Sequence, residues 1–197
     1  QGASRAPNIL ELLAPQRSDS FSRDPCAGSV PTASAEQCAL TGVTAAQYGN
    51  IAKANSSFFD YNGIVGGNED LKPETATTRA IGFVVEPGLL RRFTATLDWW
   101  DIDLKGAISR IGAQTIVDSC VATGDPLFCE RIHRDSSGSL WLGDGYVDNR
   151  LANLGGYPIR GLDFSATYGV PLGRFGSASF DFRGSYVLRW IVDNGGL

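Results

Sequence analysis

Few residues of this chain have the type and spacing that chemistry requires. Asp98, Asp101 and Asp103 form the densest carboxylate cluster, and oxygen ligands so close together suggest a Ca²⁺ site. On a strand, however, alternate side chains point to opposite faces, so the three would not converge on one ion. Asp144, Asp148 and Asn149 lack the spacing of an EF-hand loop. His133 is the only histidine, and no serine sits in a G-x-S-x-G turn, so a nucleophile triad is not expected. Gly66-Gly67-Asn68 and Gly155-Gly156 do not lie between a strand and a helix, and the phosphate-loop reading fails on context. No cofactor and no metal are expected. The net charge of −4 gives no nucleic-acid footprint.

Cys26, Cys38, Cys120 and Cys129 carry the remaining chemistry. Their spacing is too wide for C-x-x-C metal or redox motifs, and an even count in polar, turn-rich segments points to disulfides in an oxidising compartment. The local pairing, Cys26–Cys38 with Cys120–Cys129, closes the shortest loops and is the expected one.

The elements that must position these residues are β-strands. Ser177–Trp190 alternates throughout: Ala178, Phe180, Phe182, Gly184, Tyr186, Leu188 and Trp190 on one face, Ser179, Asp181, Arg183, Ser185, Val187 and Arg189 on the other. Glu74–Glu86 sets Ile81, Phe83 and Val85 on one face. From about Arg92, Phe93, Ala95, Leu97 and Trp99 share a face. The polarity then switches at Trp99-Trp100, where Asp101, Asp103 and Lys105 become the polar set. A bulge would switch it, and so would passage from one environment into another, with paired Trp at a membrane interface. Arg160–Tyr168 is a further strand, with Leu162, Phe164, Ala166 and Tyr168 opposite Asp163, Ser165 and Thr167.

Between these strands lie two segments without lasting period. Ile9, Leu12 and Leu13 fit a helical turn after Pro7. Ser18–Gly67 reads as a long loop with helical pieces at Ala35–Leu40 and Ala45–Ala52, and with Tyr48, Phe58, Phe59 and Tyr61 available for packing or ligand contact. Gly106–Pro158 reads as a second long connection, with a helix at Ala113–Ala122. Within it Ser136–Ser139 forms a hairpin tip between Glu130–Arg134 and Ser139–Leu142. The turns at Pro87–Arg91 and Val170–Gly176 are short. Short and long connections alternate, so an antiparallel meander gathers short turns at one end and long loops at the other, the layout of an outer-membrane barrel. No apolar run approaches the roughly 20 residues of a membrane-spanning helix, which leaves barrels open. The start at Gln1, the absence of Met and the turn-like end Asp193–Leu197 suggest a piece of a longer chain.

Four segments resemble the barrel of TonB-dependent outer-membrane receptors. Arg5-Ala6-Pro7-Asn8-Ile9-Leu10-Glu11-Leu12 resembles the family's RAPxxxEL segment, and Gly67-Asn68-Glu69-Asp70-Leu71-Lys72-Pro73-Glu74-Thr75 its GNxxLKPET segment, the most specific match. Leu97–Ile108 resembles its DYxxIxIxxAI strand, and Asn153–Phe164, ending Gly161-Leu162-Asp163-Phe164, a strand start. The resemblance implies an all-β, antiparallel transmembrane barrel fragment of an about twenty-two-stranded receptor in the outer membrane of a Gram-negative bacterium, not an enzyme. The plug domain and final strand would lie outside it. It also implies energised uptake of a ferric siderophore, cobalamin or oligosaccharide, with lipid and a TonB energy-transducing complex as partners. On that reading Ile81, Phe83, Phe93, Leu97, Leu162, Phe164, Phe180, Phe182, Tyr186 and Leu188 face lipid. Asp98, Asp163, Asp181, Arg183 and Arg189 face the lumen. No family motif transfers as a ligand site. The rival is a secreted soluble β-sandwich, such as a carbohydrate-binding domain, which would bury the same apolar faces against a second sheet.

Overall fold

The computed structural model describes residues 1–54 and 60–192; Phe58, Phe59 and Asp193–Leu197, where the sequence suggests a turn, lie outside them. Two compact units emerge. The first combines Gln1–Ala6, Pro73–Ala107 and Leu154–Gly196, and the second Pro7–Lys72 and Ile108–Asn153.

The first unit is a five-stranded sheet of order β1-β4-β5-β8-β9. Its members are β1 (Gly2–Arg5), β4 (Glu74–Val85), β5 (Phe93–Ser109), β8 (Ala152–Pro171) and β9 (Ser177–Trp190). β4 and β5 pair antiparallel without interruption from Thr75–Lys105 to Val85–Ala95. No bulge interrupts that ladder at Trp99-Trp100, so the polarity switches along a regular strand. A bulge does occur between β8 and β9: Gly161 pairs with Val187 and Arg160 with Arg189, leaving Leu188 as the extra residue. Rings lie over glycines on both faces, Trp100 over Gly161 and Phe164 over Gly184, where an added Cβ would collide with them; such ring-over-glycine contacts pin register. β8 begins eight residues before the alternation at Arg160, because Gly156 lets its backbone approach Leu104 more closely than a Cβ would permit.

The short turns lie together at one end of this sheet, where the Gly169 amide donates to the Arg92 carbonyl at 2.9 Å. Arg92 is left-handed there, with φ 65°. At the other end β1 is fastened to β4 by an Arg5–Glu74 ion pair of 2.6 Å.

The second unit shows that the two long aperiodic segments are not open loops. They fold into a four-stranded sheet of order β2-β3-β7-β6: β2 (Arg17–Phe21), β3 (Tyr61–Val65), β7 (Tyr146–Asp148) and β6 (Ile132–His133). The β3–β7 pairing within this loop unit is parallel. Helices α1 (Ile9–Leu13), α2 (Ala35–Leu40), α3 (Ala113–Thr123) and α4 (Pro126–Cys129) accompany it. Asn8 and Glu11 form a capping box on α1, as Ser34 and Gln37 do on α2. Residues 45–50 form turns and residues 51–52 are irregular, in place of the expected helix, and His133 pairs with Tyr146, so the hairpin returns through β7 rather than through Ser139–Leu142. Phe21, Tyr61, Ile116, Val117, Phe128, Leu140 and Val147 are buried in one core, and burial pushes the Tyr61 hydroxyl pKa up.

The RAPNILEL and GNEDLKPET segments owe their residue types to this packing. The Gly67 and Asn68 amides donate to the Ala14 and Glu11 carbonyls at 3.0 and 2.9 Å. A side chain at Gly67 would strike the α1 backbone. Lys72 and Asn153 then exchange two hydrogen bonds, of 2.7 and 2.8 Å.

Candidate membrane and lumen faces

Residues directly opposed in an antiparallel ladder share a face, so register assigns every side chain of β4, β5, β8 and β9. One face carries Ile81, Phe83 and Val85 from β4, opposed to Trp99, Leu97 and Ala95. It continues through Phe93, whose ring meets Tyr168 edge-on at 6.4 Å. Leu162, Phe164, Ala166 and Tyr168 follow, opposed to Tyr186, Gly184, Phe182 and Phe180. Ile81, Phe83, Phe93, Leu97, Leu162, Phe164, Phe180, Phe182 and Tyr186 thus share one face, and Leu188 is the bulge residue. This face is uncovered: Phe83, Phe180, Phe182 and Tyr186 are each more than 60% exposed. A soluble sandwich would cover them, and a contiguous apolar band of this size marks an interaction surface. Transfer of each such ring into apolar surroundings contributes about 1.5–3 kcal/mol.

The opposite face carries hydroxyls and charges. Thr96 and Ser165 hydroxyls meet at 2.7 Å across β5 and β8. Thr167 donates to Asp181 at 2.7 Å. Asp98, Asp163, Asp181 and Arg183 all belong to this face.

Arg189 does not. Strict alternation puts it with Asp181 and Arg183, but the extra residue at Leu188 turns it to the apolar side, directly opposite Arg160. There it lines a recess of about 380 Å³ with Thr77, Arg79, Asp101, Asp103, Lys105 and Arg160. Arg160 reaches Asp101 at 3.1 Å and lies 5.6 Å above the Trp99 ring. Lys105 reaches Asp103 at 3.5 Å. Asp98 lies on the other face, so the three aspartates do not converge. The same side of the sheet is therefore apolar near the short turns and charged beyond Trp99. Lys105 was read as part of the polar set with Asp101 and Asp103, but Arg79 and Arg160 were not singled out in the sequence; the available signal was Arg79 in β4 opposite the Asp101-Ile102-Asp103 alternation.

In the second unit the sulfurs pair locally, Cys26 with Cys38 and Cys120 with Cys129. Beside the first bridge, Arg134 and Asp24 form a two-pronged ion pair of 2.7 and 3.0 Å whose side chains are 3% and 0% exposed. Arg134 also donates to the Thr41 carbonyl and hydroxyl and to the Gly138 carbonyl, and Asp24 accepts from the Cys26 amide. His133 is exposed, and its ring lies 4.7 Å from the Tyr146 ring in a tilted contact. Burial opposes ionisation of Asp148, but hydrogen bonds from Arg150 and its charge outweigh burial and hold the carboxyl below its usual range. Asp135 is lowered too: desolvation opposes the shift, and bonds from Ser137 and Ser139 override it.

The family description "TonB dependent receptor-like, beta-barrel" matches residues 17–196. Nothing among the curated proteins matches. The siderophore receptor PirA from Acinetobacter baumannii aligns at a TM-score of 0.50 and 15% identity, over 95% of this chain and 20% of its own. A doubly substituted form of the ferric enterobactin receptor PfeA from Pseudomonas aeruginosa aligns at 0.50 and 15%, over 95% and 19%. The chain thus spans about a fifth of the length of those receptors, and likeness at this identity concerns the fold.

Proposed function

Because this chain belongs to the TonB-dependent receptor β-barrel family, we propose that it supplies barrel wall and a surface loop unit to a transporter in the outer membrane of a Gram-negative bacterium. TonB-dependent receptors are transporters rather than enzymes. The carrying observation is the sheet with an uncovered apolar face, a hydroxyl-and-charge face behind it, and its short turns gathered at one end. On this reading the apolar face meets lipid, and Asp98, Asp163, Asp181 and Arg183 line a hydrated lumen, where charge is tolerated. The short turns are periplasmic, and the disulfide-closed unit stands on the outer surface, an oxidising location that suits its two bridges.

The cargo is a bulky, scarce nutrient: a ferric siderophore, cobalamin or an oligosaccharide. Two siderophore receptors share the fold, so ferric siderophores head the classes to be tried. Energy would come from a TonB complex acting on a plug domain outside these residues. The test expresses the full-length receptor in a strain stripped of its own siderophore receptors and follows radiolabelled iron from a panel of ferric siderophores, with labelled cobalamin and oligosaccharides alongside. Uptake of one class that stops when the energising complex is deleted is expected. Absence of the receptor from the outer membrane, or no energised uptake of any class, contradicts the proposal.

A further inference from the structure

The charged recess at the rim of the apolar band is not used by this transport reading. Two of its cations are committed, Arg160 to Asp101 and Lys105 to Asp103. Arg79 and Arg189 have no ion-pair partner among the described residues. Arg160 and Arg189 oppose each other directly in the β8–β9 ladder, and like charges in that position are destabilising. The four cations exceed the two carboxylates, leaving a net charge of +2 open to the outside of the sheet. An anion seated between the guanidiniums would relieve the repulsion, and guanidinium forks match phosphate oxygens in geometry as well as charge.

The position of the recess selects the occupant. The Arg79–Asp101 row lies two residues beyond the Ile81–Trp99 row, where the apolar band ends. Two residues of strand are about 7 Å, which puts the guanidiniums at headgroup depth when the band is filled by acyl chains. Trp99, beneath Arg160, sits where interfacial aromatics collect. The recess is at the sheet end away from the short turns, so it meets the outer leaflet. We propose that Arg79, Arg160 and Arg189 bind a phosphate of a phosphorylated glycolipid of that leaflet, fixing one lipid against the barrel wall. This site rests on the transport reading, since it requires the apolar face to meet lipid.

The test uses the full-length receptor, extracted from the outer membrane in mild detergent and weighed intact by native mass spectrometry. The wild type is expected to retain phosphorylated glycolipid. Arg79→Gln with Arg189→Gln should lower the bound fraction by about tenfold or more, the scale of losing a charge-assisted hydrogen bond, while Arg189→Lys keeps most of it. Heat-modifiable migration confirms that each variant is folded, and Arg189→Gln alone serves if the pair does not assemble. Retention of the lipid by folded Gln variants overturns the site, as does equal binding of a phosphate-free glycolipid. Displacement by millimolar inorganic phosphate would show a free-phosphate site instead and overturn the lipid assignment. Failure to reach the outer membrane removes the transport reading and this site together, whereas a membrane-assembled receptor without bound glycolipid removes the site alone.

Discussion

Removing the Asp24 carboxylate should unfasten the loop unit while leaving the sheet intact. Asp24→Ala deletes both short bonds to the Arg134 guanidinium and the acceptor for the Cys26 amide. Arg134 keeps its bonds to Thr41 and Gly138, but its charge stays buried without a counter-ion. Breaking one side of such a pair costs about 3–5 kcal/mol, because desolvation is no longer offset. That raises the population of the opened unit by roughly two to three and a half orders of magnitude. Replacing both partners with apolar residues of similar size, Asp24→Leu with Arg134→Met, should cost far less, since neither charge then remains buried. The assay is protease cleavage within residues 18–54 and 130–145 of the full-length receptor in outer-membrane vesicles, with heat-modifiable migration reporting the barrel separately. Rapid loop cleavage in Asp24→Ala with unchanged migration is expected, with protection restored in the double variant. Cleavage of Asp24→Ala at the wild-type rate would refute the reasoning, as would a double variant no better than the single one.

Acid should loosen the same unit. The Asp148 and Asp135 carboxyls are held below their usual range in the folded chain, so the stability they contribute is complete above the unfolded carboxylate value, about pH 4. It is lost as pH falls through their folded values. Protease protection measured from pH 6 downward should therefore fall below about pH 4, and Asp148→Asn should flatten the fall by lowering protection at neutral pH. Replacing Cys26 and Cys38 with Ser opens a loop spanning 12 residues, a loss of about 2–4 kcal/mol. It should show as earlier loop cleavage at rising temperature, and non-reducing peptide mapping of the wild type should recover no peptide joining the two cysteine pairs.

The long strands were legible because one side of each is apolar and the other is small, polar or charged. Phe180, Phe182 and Tyr186 against Asp181, Arg183 and Ser185 fix period and boundaries of β9 together. Where that contrast reverses along a strand, as at Trp99-Trp100, sequence cannot distinguish an inserted residue from a change of surroundings; the ladder shows that no residue is inserted there. At Leu188 the converse holds. Alternation runs on unbroken through Arg189 and Trp190, yet a bulge turns Arg189 over, because its cause is the fit to the partner strand at Arg160-Gly161. The strands of the loop unit were illegible for another reason. Arg17–Phe21 has no alternation, and its partner Tyr61–Val65 is forty or more residues away. Such pairing is held by the shared core of Phe21, Tyr61 and Val147, together with the bridges and the Asp24–Arg134 pair, none of which leaves a local period. The cysteine pairing was legible because short loops close most readily.

The orientation of β9 is the claim on which the transport reading and the lipid site both stand. Single cysteines at positions 178–187 of the full-length receptor, labelled with a nitroxide in outer-membrane vesicles, report collision with apolar oxygen against a water-soluble nickel chelate. The account predicts that positions 180, 182 and 186 favour oxygen and positions 179, 181, 183 and 185 favour nickel, alternating residue by residue. Equal nickel access on both sets, or protection of 180, 182 and 186 from both reagents as in a covered core, would contradict it.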